Sequence, residues 1–263
     1  MNRKRKSWVN LILLVVTLGI NAMGASGIIN GLSQKEVSDM YQTLITPAPF
    51  TFSIWSVIYT LLIISIVTMI VKKNDDYFGE AIDRISYLFW ISCALNTIWI
   101  ISFSYLLIGL STIFIFAFLL VMIIIIKQIA KIQKGKRWLL ATTFGLYSGW
   151  LMIATVVNIA AWFVKIGWGG FGIAEATWAS ITLLIAVGLT IMVLINIKNA
   201  IFPLPIAWGY FGIYKFLVSP EGLQGQYTML QNVAIIGLVI LLVLSVIQFY
   251  KNKFKIMPDI SVK

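Results

Sequence analysis

Histidine is absent from this chain of 263 residues, and cysteine occurs once, as Cys93 inside an apolar run. The first absence removes His-based triads, His proton relays and His-ligated zinc or haem. A single thiol allows neither a disulfide framework nor a thiolate metal cluster. Acidic residues number 9, nearly all between apolar stretches, which leaves little for carboxylate-pair catalysis. No cofactor and no enzymatic activity is expected. Charge of either sign is scarce at 11% of residues, against about 25% in a soluble domain.

Apolar side chains fill the space left by charge. They make up 60% of the chain, the mean hydropathy is +0.95, and runs near the roughly 20 residues needed to cross a bilayer recur. The expected fold is all-α: a polytopic membrane bundle of about eight transmembrane helices. The spans read as Trp8 to Ile29, Phe50 to Val71, Ser86 to Ile108, Ser111 to Ile126, Leu139 to Val164, Ala176 to Ile197, Ile201 to Val218 and Met229 to Tyr250. A basic start before an apolar run also describes a signal peptide, with Ala22-Met23-Gly24-Ala25 as a loose cleavage site. The run continues through Ile28-Ile29, which favours a retained span.

The formal charge of +11 is not a nucleic-acid footprint, because no contiguous basic face carries interleaved aromatics. With the N-terminus inside, the cytoplasmic segments hold Arg3 to Lys6, Lys72, Lys73, Arg84, the Lys127–Arg137 group, Lys198 and the basic C-terminal tail. The outer loops hold only Lys35 and Lys165, with Glu36, Asp39, Glu175 and Glu221. That bias places both termini in the cytoplasm of a multi-pass membrane protein in contact with lipid.

Between the spans, Ser33-Gln34-Lys35-Glu36 has the form of a capping box and predicts a short surface helix. The charged segment from Lys72 to Arg84 reads as a solvated turn, and Gly109-Leu110-Ser111 as a tight turn. The Gly167–Gly172 stretch lacks the strand and the Lys-Ser/Thr ending of a phosphate loop. It reads instead as an outer loop flanked by the interfacial anchors Trp162, Trp168 and Trp178.

Specific chemistry concentrates in three places. Pro47 and Pro49 stiffen a loop ahead of Phe50, and Trp55 and Tyr59 follow one turn apart on a helix face. Asn96, Trp99 and Phe103 share a stripe of the third span. Tyr147, Trp150, Ala154 and Asn158 share a face of the fifth. All converge on the outer half of the bundle, where aromatic faces under a stiff loop would make a hydrophobic pocket. Asn96 and Asn158 require partners there, since an unpaired amide in hydrocarbon is costly. Helix–helix bonding and ligand binding are equal readings of those amides.

These motifs resemble the tryptophan-rich sensory protein/translocator protein family. Pro47-x-Pro49-Phe50…Trp55-Ser56-x-x-Tyr59 is similar to its proline-rich first loop and second helix. Asn96-x-x-Trp99 is similar to its N-x-x-W, and Tyr147-x-x-Trp150-x-x-x-Ala154-x-x-x-Asn158 to its fifth-helix pattern. Ile100 and Leu146 stand where the family has serine and proline, and Ala48 separates prolines that are adjacent there. The resemblance covers Trp8 to Val164. It implies a five-helix membrane bundle over 1–165, followed over 166–263 by three additional helices and a tail. It also implies a pocket for porphyrin, haem or other hydrophobic aromatic molecules, a homodimer, and a place in the bacterial plasma membrane. Pro47, Pro49, Phe50, Trp55, Tyr59, Asn96, Trp99, Tyr147, Trp150, Ala154 and Asn158 are then the ligand-binding candidates. The function read from this is a membrane sensor or regulator; the alternatives are a transporter of small hydrophobic molecules and an accessory subunit of a membrane complex.

Overall fold

The computed structural model describes residues 1–259, and every regular element among them is helical. The long helices are α1 (Arg3–Ala25), α3 (Ile54–Val71), α4 (Asp76–Ser104), α5 (Ile108–Ala130), α6 (Leu139–Lys165), α7 (Glu175–Ile197), α8 (Pro203–Val218) and α9 (Thr228–Lys251). A short α2 (Gln34–Met40) and a 3₁₀ turn, Pro49–Ser53, lie in the first long loop. Seven of the helices are long and apolar enough to cross a membrane. The exception among the span-like segments is α8: its 16 residues reach about 24 Å, short of the roughly 30 Å hydrocarbon core. The protein is a polytopic helical membrane bundle.

Local chemistry sets the helix ends. Ser33 and Glu36 form the predicted capping box at the start of α2. At the start of α4 the Asp75 carboxylate accepts from the backbone N–H groups of Tyr77 and Phe78 at 3.0 and 3.1 Å. This cap corrects the sequence reading: α4 begins at Asp76, and residues 76–84 are helix instead of turn. The extension is held by a Glu80–Arg84 pair and by Asp83, which receives both Arg3 (2.7 Å) and Lys6 (3.0 Å) from α1. The turn expected at Gly109–Ser111 falls earlier, at Tyr105–Leu107, where Leu106 has φ 60°. Gly109 lies inside α5, and a β-carbon there would sit 2.8 Å from the Trp162 indole nitrogen.

In the bundle α4 packs between α1 and α5, and α5 against α6; α3 fills the groove between α1 and α6. The last three helices join through α8, which contacts α6, α9 and the 3₁₀ turn. That approach depends on glycine. A methyl on Gly149 would collide with the Phe202 carbonyl, and one on Gly209 would sit 2.8 Å from Ile153. At the inner end, the turn 198–202 is sealed by the chain's last described segment. Asn252 donates to the Lys198 carbonyl (2.8 Å), Ala200 N–H donates to the Ile256 carbonyl (2.9 Å), and Met257 is fully buried.

Candidate functional site

The candidate residues start from helix periodicity. Trp55 and Tyr59 project from one face of α3, Asn96 and Trp99 from α4, and Tyr147 and Trp150 from α6. Because α3 lies against both α4 and α6, these six side chains meet. Trp55 stacks on Tyr59 with ring centroids 5.2 Å apart. Trp99 lies 6.1 Å away at a shallow tilt, while Tyr147 (5.9 Å) and Trp150 (6.0 Å) present their edges. Edge-to-face and offset packing at these separations suits the aromatic quadrupole. Phe52, from the 3₁₀ turn, covers Trp150 edge-on at 6.3 Å.

The rings fill the space that they enclose. Trp99, Tyr147 and Trp150 are 6%, 3% and 2% exposed, and Trp55 and Tyr59 are half-buried. Beside them is a void of about 10 Å³ between α1, α3, α4, α5 and α6, lined among others by Thr17, Ser92, Cys93 and Asn96. That is room for roughly one water.

Below the aromatic layer runs a chain of hydrogen bonds. The Tyr59 hydroxyl donates to Asn21 Oδ1 at 2.8 Å, Asn21 Nδ2 donates to Asn96 Oδ1 at 2.6 Å, and Asn96 Nδ2 donates to Tyr147 Oη at 3.0 Å. Four helices are thereby tied through side chains that would be costly to leave unpaired. Asn21 was not among the sequence candidates. The signal for it lies in α1, where Asn10, Leu14, Thr17 and Asn21 recur at helical spacing and all face inward.

Asn158 stands apart. Its Oδ1 accepts from the hydroxyls of Ser111 and Thr112 on α5, both at 2.9 Å. It joins α5 to α6 and does not enter the aromatic cluster; Ala154, one turn before it, is partly buried in the core. Pro47 and Pro49 lie in the loop, with Pro49 opening the 3₁₀ turn. Phe50 turns away from Trp55. It packs against α8 instead, 5.5 Å from Trp208 and 5.9 Å from Phe211. Sequence reasoning missed Trp208 and Phe211, because nothing in a helix 150 residues downstream announces that it will meet the first loop.

Two polar groups in the cluster are left over. The indole N–H groups of Trp99 and Trp150 are buried and make no hydrogen bond, and the same holds for the Thr51 hydroxyl above them. Indole is a donor only, so these tryptophans offer N–H and nothing else. No histidine, carboxylate or ammonium stands among the cluster's residues, and among the described residues no group of metal-ligating side chains forms.

A model of the family described as TSPO-like protein matches residues 7–247. No curated protein and no solved structure matches the chain.

Proposed function

The chain belongs to the TSPO-like protein family, and from that membership we propose that it is a membrane sensor or regulator that binds flat hydrophobic molecules, porphyrin-like ones included, at the Trp55 cluster. The observation that carries this reading is the pair of buried, unpartnered indole donors on Trp99 and Trp150. Leaving a buried donor unpaired costs about 1–3 kcal/mol. A ligand bearing acceptor atoms relieves that cost as it displaces the packed rings. Trp55 is the ring to move, since it is half-buried where Trp99 and Trp150 are enclosed. The stacked Trp55–Tyr59 faces supply a planar ligand's platform.

The cluster offers stacking and donation, with no histidine to ligate haem iron and no carboxylate to move a proton, so the proposed role is binding without turnover. We take the membrane to be the bacterial plasma membrane, as the resemblance implies, with the lysine- and arginine-rich segments on its cytoplasmic side. The homodimer that the resemblance implies is tested by cross-linking in native membranes.

Titration of the purified protein with protoporphyrin should quench tryptophan fluorescence saturably. The W99F/W150F variant keeps both rings in bulk while removing both donors, and should weaken binding by roughly tenfold. A W55A/W150A variant should lose the saturable quench. Unchanged binding by both variants, with the fold retained, would exclude the cluster as the site.

A further inference from the structure

We propose that helix α8 is the latch of the first loop: it holds residues 47–53 shut over the Trp55 cluster, and its release is what admits a ligand. The inference rests on the binding role proposed above for what it admits, but the latch itself is a matter of contacts. Three make it, two of them through Trp208. The Ala48 N–H donates to the Gly212 carbonyl at 3.0 Å. The Trp208 indole donates to the Thr51 carbonyl at 2.9 Å. Phe50 sits with its edge to both Trp208 and Phe211.

Gly212 is the position that makes this closeness possible. Any β-carbon there would collide with Thr51 Oγ1, and Thr51 is fully buried. The Gly212 carbonyl has a second lone pair beyond the one its own helix uses, and that pair accepts from the Ala48 N–H. Residues 43–48 are buried, with Leu44 and Ile45 in the core, so the part that depends on α8 is the segment from Ala48 through the 3₁₀ turn. The loop's two prolines have no N–H to give, and the Thr51 hydroxyl finds no partner. Its other backbone bonds are all local: those of the 3₁₀ turn itself, Thr46 N–H to Thr43 carbonyl, Thr51 N–H to Ala48 carbonyl, and Ile54 N–H to the Thr51 and Phe52 carbonyls. The one aromatic contact from the loop downward is Phe52 on Trp150. A lid whose long-range hydrogen bonds both go to one neighbouring helix opens when that fastening loosens.

Trp208 and Gly212 are therefore positioning residues, and the latch is read without any ligand. In T51C the new thiol is buried between the loop and Gly212 of α8, and peptide mass spectrometry separates its alkylation from that of Cys93. Combining T51C with W208F, which keeps a ring at 208 but removes the donor, should raise its alkylation rate by about tenfold, the equivalent of one neutral hydrogen bond. T51C with G212A, which pushes the loop off the helix, should raise it further. In the same full-length protein carrying W208F alone, protoporphyrin should associate and dissociate faster, with a smaller change in Kd. Alkylation unchanged in both double variants overturns the latch. Faster alkylation with protoporphyrin rates unchanged overturns it as a gate. If protoporphyrin fails to bind even the parent protein, the binding role fails, and the alkylation rates alone decide the latch.

Discussion

The Asn21 amide donates to the Asn96 side-chain carbonyl at 2.6 Å, joining α1 to α4 in the interior of the bundle. Each partner is committed on its other side as well, Asn21 to Tyr59 and Asn96 to Tyr147. Replacing Asn21 by Ala strands the Tyr59 hydroxyl and the Asn96 carbonyl together. The expected cost is about 1–3 kcal/mol, above the roughly 0.6 kcal/mol average for one interhelical bond in a membrane. Unfolding in SDS measures it, and a double-mutant cycle with N96A should show positive coupling. A cost at or below the single-bond average would mean that water replaces the amide.

Asn158 tests the opposite expectation. Ser111 and Thr112 each keep a second acceptor, the Ile108 carbonyl, when its side chain is removed. N158A should therefore lower stability by only about 0.6 kcal/mol and leave protoporphyrin affinity unchanged. A tenfold loss of affinity would bring Asn158 back into the site.

Glycine substitutions separate packing from propensity. A β-carbon at Gly149 would meet the Phe202 backbone, which cannot rotate aside, so G149A should destabilise by at least the 1–3 kcal/mol typical of overpacking, to order of magnitude about 2 kcal/mol. Gly19, in α1, has nothing within 4 Å of its would-be β-carbon. G19A should be neutral or stabilising by about 0.5–1 kcal/mol. Thermal unfolding of the two variants side by side makes the comparison; equal effects would contradict the tight α6–α8 crossing.

The Asp75 cap predicts a pH dependence at the inner surface. Its carboxyl is held below the usual carboxylate range, first by the Phe78 N–H and then by Arg137 at 3.2 Å. A group whose folded pKa is depressed contributes stability above its unfolded pKa of about 3.9 and loses it as pH falls through the folded value. D75N should lower the midpoint of unfolding at pH 7, and the gap from the parent protein should close below about pH 4. A gap independent of pH would assign the effect to shape alone.

Much of this arrangement was legible in the sequence, and the limits are instructive. The order of the membrane helices follows from hydropathy, although α8, read as an eighth span, is too short to cross; the Ser33–Glu36 box follows from a local pattern. Periodicity brought Trp55, Tyr59, Trp99, Tyr147 and Trp150 to one place, because each stripe faces inward and the helices are neighbours. Periodicity also put Asn158 on the same face as Tyr147, yet a helix face is wide, and Asn158 looks toward α5. The helical start of α4 was hidden by its charges, which pair with Arg3 and Lys6 from a segment 77 to 80 residues away. Phe50 and Trp208 were beyond reach for the same reason: their meeting depends on how α8 crosses α6, and that is set by glycines whose value is the atoms they lack. Nor does a pattern of aromatic residues reveal whether the rings leave a cavity or fill it.

The sealed turn at residues 198–202 has a consequence for biosynthesis. Its Ala200 carbonyl accepts from the Ser245 hydroxyl (2.6 Å), its Ala200 N–H needs Ile256, and the Lys198 carbonyl needs Asn252. All three partners are translated about fifty residues later, roughly 3–10 seconds at ordinary elongation rates. Until the ribosome delivers them, the α7–α8 corner depends on water or lipid headgroups for those bonds, and this corner is among the last parts of the molecule to close.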